Sequence, residues 1–131
     1  MSMTIAYWCL LIAALMPYLW VAVAKANGKR YDNRDPRAWQ ARQDSPRSNA
    51  AYAAHLNAFE AFAPFAAGVL AAQMAGVDTD WIVILSIVFV VCRVLHGVFY
   101  IAGKAPLRSL VWAIGFLCAM ALLALAALAS I

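Results

Sequence analysis

Charge is what this 131-residue chain has least of: only 12% of its residues are Asp, Glu, Lys or Arg, against 66% hydrophobic, and mean hydropathy is +0.78. That balance excludes a soluble domain of ordinary composition and identifies a polytopic membrane protein. Paired cysteines are lacking too. Cys9, Cys92 and Cys118 fall in separate apolar stretches without CxxC spacing. This gives no basis for a disulfide framework, a metal site or a thiol oxidase, and suits three small buried hydrophobes. No basic residue precedes the first apolar run. Although Ala22, Val23 and Ala24 fit a small-x-small cleavage site, the run therefore reads as a retained span rather than a signal peptide. No repeat or low-complexity segment stands out beyond alanine richness, so one domain is expected.

What is present is a set of apolar stretches. Four segments, about 4–25, 48–76, 81–102 and 107–130, match or exceed the roughly 20 residues that cross a hydrocarbon core. The expected fold is all-α, a four-helix transmembrane bundle forming a single integral membrane domain. Pro17 should kink the first helix, with a neighbour satisfying the freed carbonyl. The second segment is rich in alanine and contains Gly68, which suits close helix packing. Trp81 and Trp112 suit interfacial anchoring.

The connection 25–47 holds seven Lys and Arg against three Asp, with Pro36, Pro46, Gly28, Asp32 and Asn33 as turn formers. It reads as a single mobile loop. The turn at 76–80 carries only Asp78 and Asp80, whereas Lys104 and Arg108 flank the last connection. The positive-inside rule then places the basic loop in the cytoplasm and both termini outside it, in a membrane of the bacterial inner (plasma) type. The net charge of +4 is accounted for by this orientation rather than by nucleic acid.

The stretch RVLHGVFYIAGKAPLR, residues 93–108, puts Arg93, His96 and Tyr100 at i, i+3 and i+7, on one face of an apolar helix. A guanidinium at membrane depth costs roughly 3 kcal/mol or more, so that face should turn toward a bundle interior, a partner or a wet cavity. Snorkelling is the alternative, over about eight residues or roughly 12 Å. Glu60 follows Asn57 by three residues on the second segment. With Arg93 it makes the one oppositely charged pair at comparable depth, and the two are expected to be coupled either directly or through a bound ligand. A structural ion pair would explain these two alone. Tyr100, His96, Asn57 and Arg108 are surplus to it, which points to a site in the cytoplasmic half.

Two motifs carry a family resemblance. HLNAFEAFAPF, residues 55–65, resembles the HLNxxExxxPF pattern of the second helix of the MAPEG family, the membrane-associated proteins of eicosanoid and glutathione metabolism. Arg93, His96, Tyr100 and Arg108 resemble its Rxx(H/Y)xxxYxxxxxxxR pattern at the third helix and following turn. The resemblance implies a homotrimer of four-helix subunits, with glutathione held between neighbours on the cytoplasmic side. Asn57, Glu60, Arg93 and Tyr100 would hold the tripeptide, with His96 packing or hydrogen bonding beside them. Arg108 would face the sulfur and stabilise the thiolate. The implied activity is a glutathione-dependent transferase or peroxidase acting on a lipophilic small molecule, an electrophile or hydroperoxide that arrives through the membrane lipid. One position departs from the pattern. Active relatives carry an arginine four residues before the asparagine, and here that position is Ala53, unless Arg47 or another cation of the 25–47 loop replaces it.

Two other classes compete. A non-enzymatic membrane protein on the same bundle fits Ala53. A small proton-coupled exporter would need Glu60 to titrate alone in a wet cavity, and Arg93 at similar depth argues for a paired carboxylate.

Overall fold

The computed structural model describes residues 1–131 and contains five helices and no strand: α1 (Met3–Asn27), α2 (Pro36–Ala41), α3 (Pro46–Met74), α4 (Thr79–Ile101) and α5 (Ala105–Ala129). The helix starts follow from capping. Ser2, Asp35, Ser45 and Asp78 each accept a backbone N–H of the first turn through the side chain. Pro36 and Pro46 sit where a missing N–H costs nothing. Two of the ends are glycine-closed. Gly76 and Gly103 have φ of 77° and 72°, the left-handed region that favours glycine. In each, the next residue's N–H reaches back to the third-last helical carbonyl, Val77 to Ala72 at 3.0 Å and Lys104 to Phe99 at 2.9 Å.

A short fifth helix adds to the four long ones expected. The 25–47 connection is not a mobile loop: it contains α2, whose Trp39 and Gln40 are buried. Six residues are too few for a hydrophobic period to be read, so only the Asp-Pro cap signalled it. Three helices, α1, α4 and α5, are long and apolar enough to cross a membrane. α3 has 29 residues but does not join them, because Ser48, Asn49, His55, Asn57 and Glu60 dilute its apolar character. The residues that lower its hydropathy include those proposed for the site.

α3 lies at the centre, packed against α1, α4 and α5. Phe65 of α3 stacks on Phe89 of α4 with centroids 3.9 Å apart, and Val69, Ile82 and Leu122 are fully buried around them. Close approach needs small residues. A Cβ on Gly68 would meet Leu122 Cβ at 2.9 Å, and one on Gly97 would fall inside the Trp20 ring. Pro17 does gain a partner from α3, but at its own carbonyl: His55 Nδ1 lies 2.7 Å from the Pro17 oxygen, the imidazole donating. Outside, Trp8, Leu15 and Leu117 stand more than half exposed, an apolar surface suited to lipid. Of 101 backbone hydrogen bonds, 86 lie within helices, which satisfies the backbone internally as hydrocarbon requires.

The contrast between two glycines of the bundle is testable. Gly97→Ala should destabilise by about 1–3 kcal/mol through overpacking against Trp20. Gly115→Ala, whose Cβ would rest 3.5 Å from Cys92 Cβ, should be close to neutral. Thermal unfolding of both variants in detergent checks the pair, and equal losses would remove the Trp20 contact as the cause.

Candidate functional site

α3 and α4 bring the polar residues together. Asn57 and Glu60 stand one turn apart on α3, facing Arg93 on α4. Arg93 is only 4% exposed and His96 3%. Of the two expected modes of Glu60–Arg93 coupling, the direct ion pair does not form. Arg93 Nη2 donates to Asn57 Oδ1 at 2.7 Å, and Asn57 Nδ2 donates to Glu60 Oε2 at 3.3 Å. The amide therefore stands between cation and carboxylate, its oxygen toward the one and its nitrogen toward the other. Because Glu60 sits at the exposed edge of this line, it keeps acceptor capacity free.

Two buried nitrogens have no partner, Arg93 Nε and His96 Nδ1. An unsatisfied buried donor costs about 1–3 kcal/mol, and such atoms mark a place where a polar ligand or water completes the set. The remaining cation, Arg108 at the start of α5, lies 4.5 Å over the Tyr100 ring. Tyr100 in turn meets the His96 ring edge-to-face at 5.5 Å.

Two cavities share this cluster. One, of about 190 Å³, is walled by Asn57, Glu60, Arg93, Phe89, Trp112 and Phe116, with Pro64 and two alanines. The other, of about 230 Å³, is lined by Asn57, His96, Tyr100, Arg108, Ser109 and Trp112. Asn57 and Trp112 border both. The second cavity is largely polar and suits a hydrogen-bonding ligand. The first has an aromatic wall and suits an apolar group lying next to it.

All six residues singled out from the sequence, Asn57, Glu60, Arg93, His96, Tyr100 and Arg108, line these two cavities. Trp112 does not act only as an interfacial anchor, because it forms a wall shared by both and stacks on Phe116 at 5.2 Å. Arg108, Trp112 and Phe116 recur every four residues on α5, so the stripe was present in the sequence but reads equally as a lipid-facing one. Phe89 and Ser109 carried no signal of their own. Arg47 reaches neither cavity of its own subunit: it lines an open groove with Trp20, Val98 and Ile101. No other cation of the 25–47 connection reaches either cavity.

The relay through Asn57 has a direct consequence. Glu60→Gln and Arg93→Leu should be non-additive in stability, with a coupling of at least about 0.5 kcal/mol, and the coupling should vanish when Asn57 is alanine. Thermal unfolding of the ligand-free double-mutant cycle in both backgrounds measures this. Coupling that survives Asn57→Ala would mean that the two charges interact without the amide.

No curated protein and no solved structure matches the chain. A family model does match: that of the MAPEG family, over residues 5–128, which takes in the four long helices almost entire and every residue of the polar cluster. With three helices apolar enough to span a membrane and a family match across nearly its whole length, this chain belongs to the MAPEG family of integral membrane proteins.

Proposed function

We propose that this protein binds glutathione across the two adjoining cavities and conjugates or reduces lipophilic electrophiles or hydroperoxides that enter from the bilayer beside Trp112 and Phe116. The observation that carries the reading is a pair of buried side chains with unpartnered nitrogens, Arg93 lining the first cavity and His96 lining the second, which also presents Arg108. Glutathione has two carboxylates that seek cations and an amine that seeks an acceptor. Arg93 supplies a cation and the exposed Glu60 carboxylate supplies the acceptor. Asn57 and Tyr100 complete the hydrogen-bonding set, and His96 Nδ1 is free to serve it. Arg108, which lines the polar cavity, would stabilise the thiolate, which is the nucleophile. The thiolate sulfur forms a bond to the electrophilic carbon, and the displaced electron pair leaves with the leaving group or takes up a proton. The proposed assembly is a homotrimer with the tripeptide held between neighbouring subunits, in a bilayer that all four long helices cross.

A non-enzymatic reading has its own support. With Ala53 in place and no loop cation at either cavity, one glutathione carboxylate lacks a partner within the subunit. An exporter is less well supported, since Glu60 accepts from Asn57, which itself holds Arg93, and so is not an isolated carboxylate.

Glutathione titration of the purified protein separates the first two readings. The unmodified protein should bind glutathione, show its thiolate by ultraviolet difference absorbance, and turn over a model electrophile. Arg108→Leu should keep most of the affinity while losing thiolate, each tenfold change in ionisation corresponding to about 1.4 kcal/mol. Ala53→Arg should tighten binding about tenfold, as expected for one added charge-assisted hydrogen bond. Binding without thiolate or turnover across a broad electrophile panel would leave the non-enzymatic reading.

The proposed orientation puts the basic 25–47 connection in the cytoplasm and both termini outside. In a background with the native cysteines changed to alanine, an impermeant thiol reagent added outside should label Met74→Cys, an 89% exposed site, and miss Asp44→Cys. The reverse pattern would overturn the orientation.

A further inference from the structure

Arg108 is the cation that the proposed thiolate chemistry depends on, and within the subunit its support comes from one ring. It makes no ion pair, and its guanidinium lies 4.5 Å over the face of Tyr100. Tyr100 is half-buried, so the place of its ring is set by what packs around it. It meets the His96 ring edge-to-face at 5.5 Å. It also packs against a small cluster, Met16 and Trp20 of α1 with Ala54 and Ala58 of α3, none of them more than 6% exposed.

Gly97 is what lets α1 come so near. It precedes Tyr100 by three residues and shares its side of α4. The Trp20 ring occupies the space that a Cβ at Gly97 would need. A flat ring pressed onto backbone leaves α1 and α4 little room to slide or turn, so the contact fixes α4 at the level of His96 and Tyr100. The alanines at 54 and 58 keep α3 close to the same cluster. Neither cavity of the candidate site is lined by Trp20, which borders the open groove of Arg47 and Val98 instead.

We propose that Trp20 is a positioning residue for Arg108. The indole sets α4 at Gly97, α4 and the cluster set the Tyr100 ring, and the ring holds the guanidinium in the polar cavity. The role rests on the glutathione reading for its chemistry and on contacts within the subunit for its geometry. An arginine without a platform spreads over several rotamers, and its stabilisation of a thiolate falls with distance. Released from the ring, Arg108 would therefore lose part of its effect without leaving the site. Tyr100 then has two separable roles: its hydroxyl bonds the tripeptide, and its ring carries Arg108.

The test follows glutathione bound to the full-length protein by ultraviolet difference absorbance against pH, with thermal unfolding to show that each variant is folded. Trp20→Leu should raise the midpoint of thiolate formation by about one pH unit, the size that a cation–π contact supports, and change glutathione affinity by less than about threefold. Trp20→Phe, which leaves a smaller gap, should shift the midpoint the same way by less. Tyr100→Phe should weaken binding through the lost hydroxyl and keep the midpoint. Tyr100→Leu should raise it, and Trp20→Leu should add nothing further in that background. A midpoint unchanged in both Trp20 variants, or raised as much by Tyr100→Phe as by Tyr100→Leu, would overturn the role.

A ligand-free measurement separates this role from the glutathione reading. The Arg108 Nε–H proton resonance, identified by its loss in Arg108→Leu, should carry an aromatic ring-current shift. Trp20→Leu and Tyr100→Leu should both reduce that shift, and Tyr100→Phe should keep it. This pattern in a protein that forms no bound thiolate would uphold the positioning and remove the glutathione reading. Normal thiolate formation with a ring-current shift indifferent to Trp20 would do the reverse.

Discussion

Burying the Arg93 guanidinium is the constraint that the bundle is arranged around. Withdrawing a full charge from water costs several kcal/mol unless hydrogen bonds compensate it. α3 answers with Asn57, whose amide oxygen meets Nη2 at 2.7 Å and whose nitrogen passes the interaction to Glu60. This arrangement differs from a salt bridge in one useful respect. A direct pair would consume both charges, whereas an intervening amide leaves the carboxylate at the edge and one guanidinium nitrogen unfilled. The cluster is held in place and still has bonding capacity to offer.

That capacity sits between two compartments of different character. Asn57 and Trp112 border both, so a polar ligand against His96, Tyr100 and Arg108 would lie beside a chamber walled by Phe89 and Phe116. For the proposed reaction, which would join a water-soluble thiol to a membrane-soluble partner, adjacency of the two environments matters more than the volume of either. The site also lies on long helices fixed by the Phe65–Phe89 stack and by the glycine contacts at 68 and 97, which limits how far its geometry can drift.

The opposite side of α3 carries a second polar arrangement of another kind. There α2 and Trp39 turn a basic connection into a fixed wall, and the cations that a simple orientation rule would count as equivalent become different. Arg34 is committed to Asp32, whereas Lys25 and Arg37 make no ion pair. Only folding makes that distinction.

Several features were legible in the sequence for local reasons. The apolar lengths and the spacing Arg93, His96, Tyr100 depend on helix periodicity alone, and the HLN…E…PF motif depends on residue order, so the long helices, the shared face and the family could all be read there. Other features depend on contacts between helices. Whether Glu60 meets Arg93 or Asn57 comes between them is set by the packing of α3 on α4 over a few ångströms, which no periodicity encodes. Trp112 became a wall shared by both cavities through the packing of α5 against α3 and α4, and Arg47 pointed into a different groove. α2 is too short to show a period, and its stability comes from burying Trp39 against Gly28 and Tyr31. Sequence thus determined which residues share a helix face; tertiary structure decided which faces meet, because burial and hydrogen bonding are satisfied between helices rather than along them.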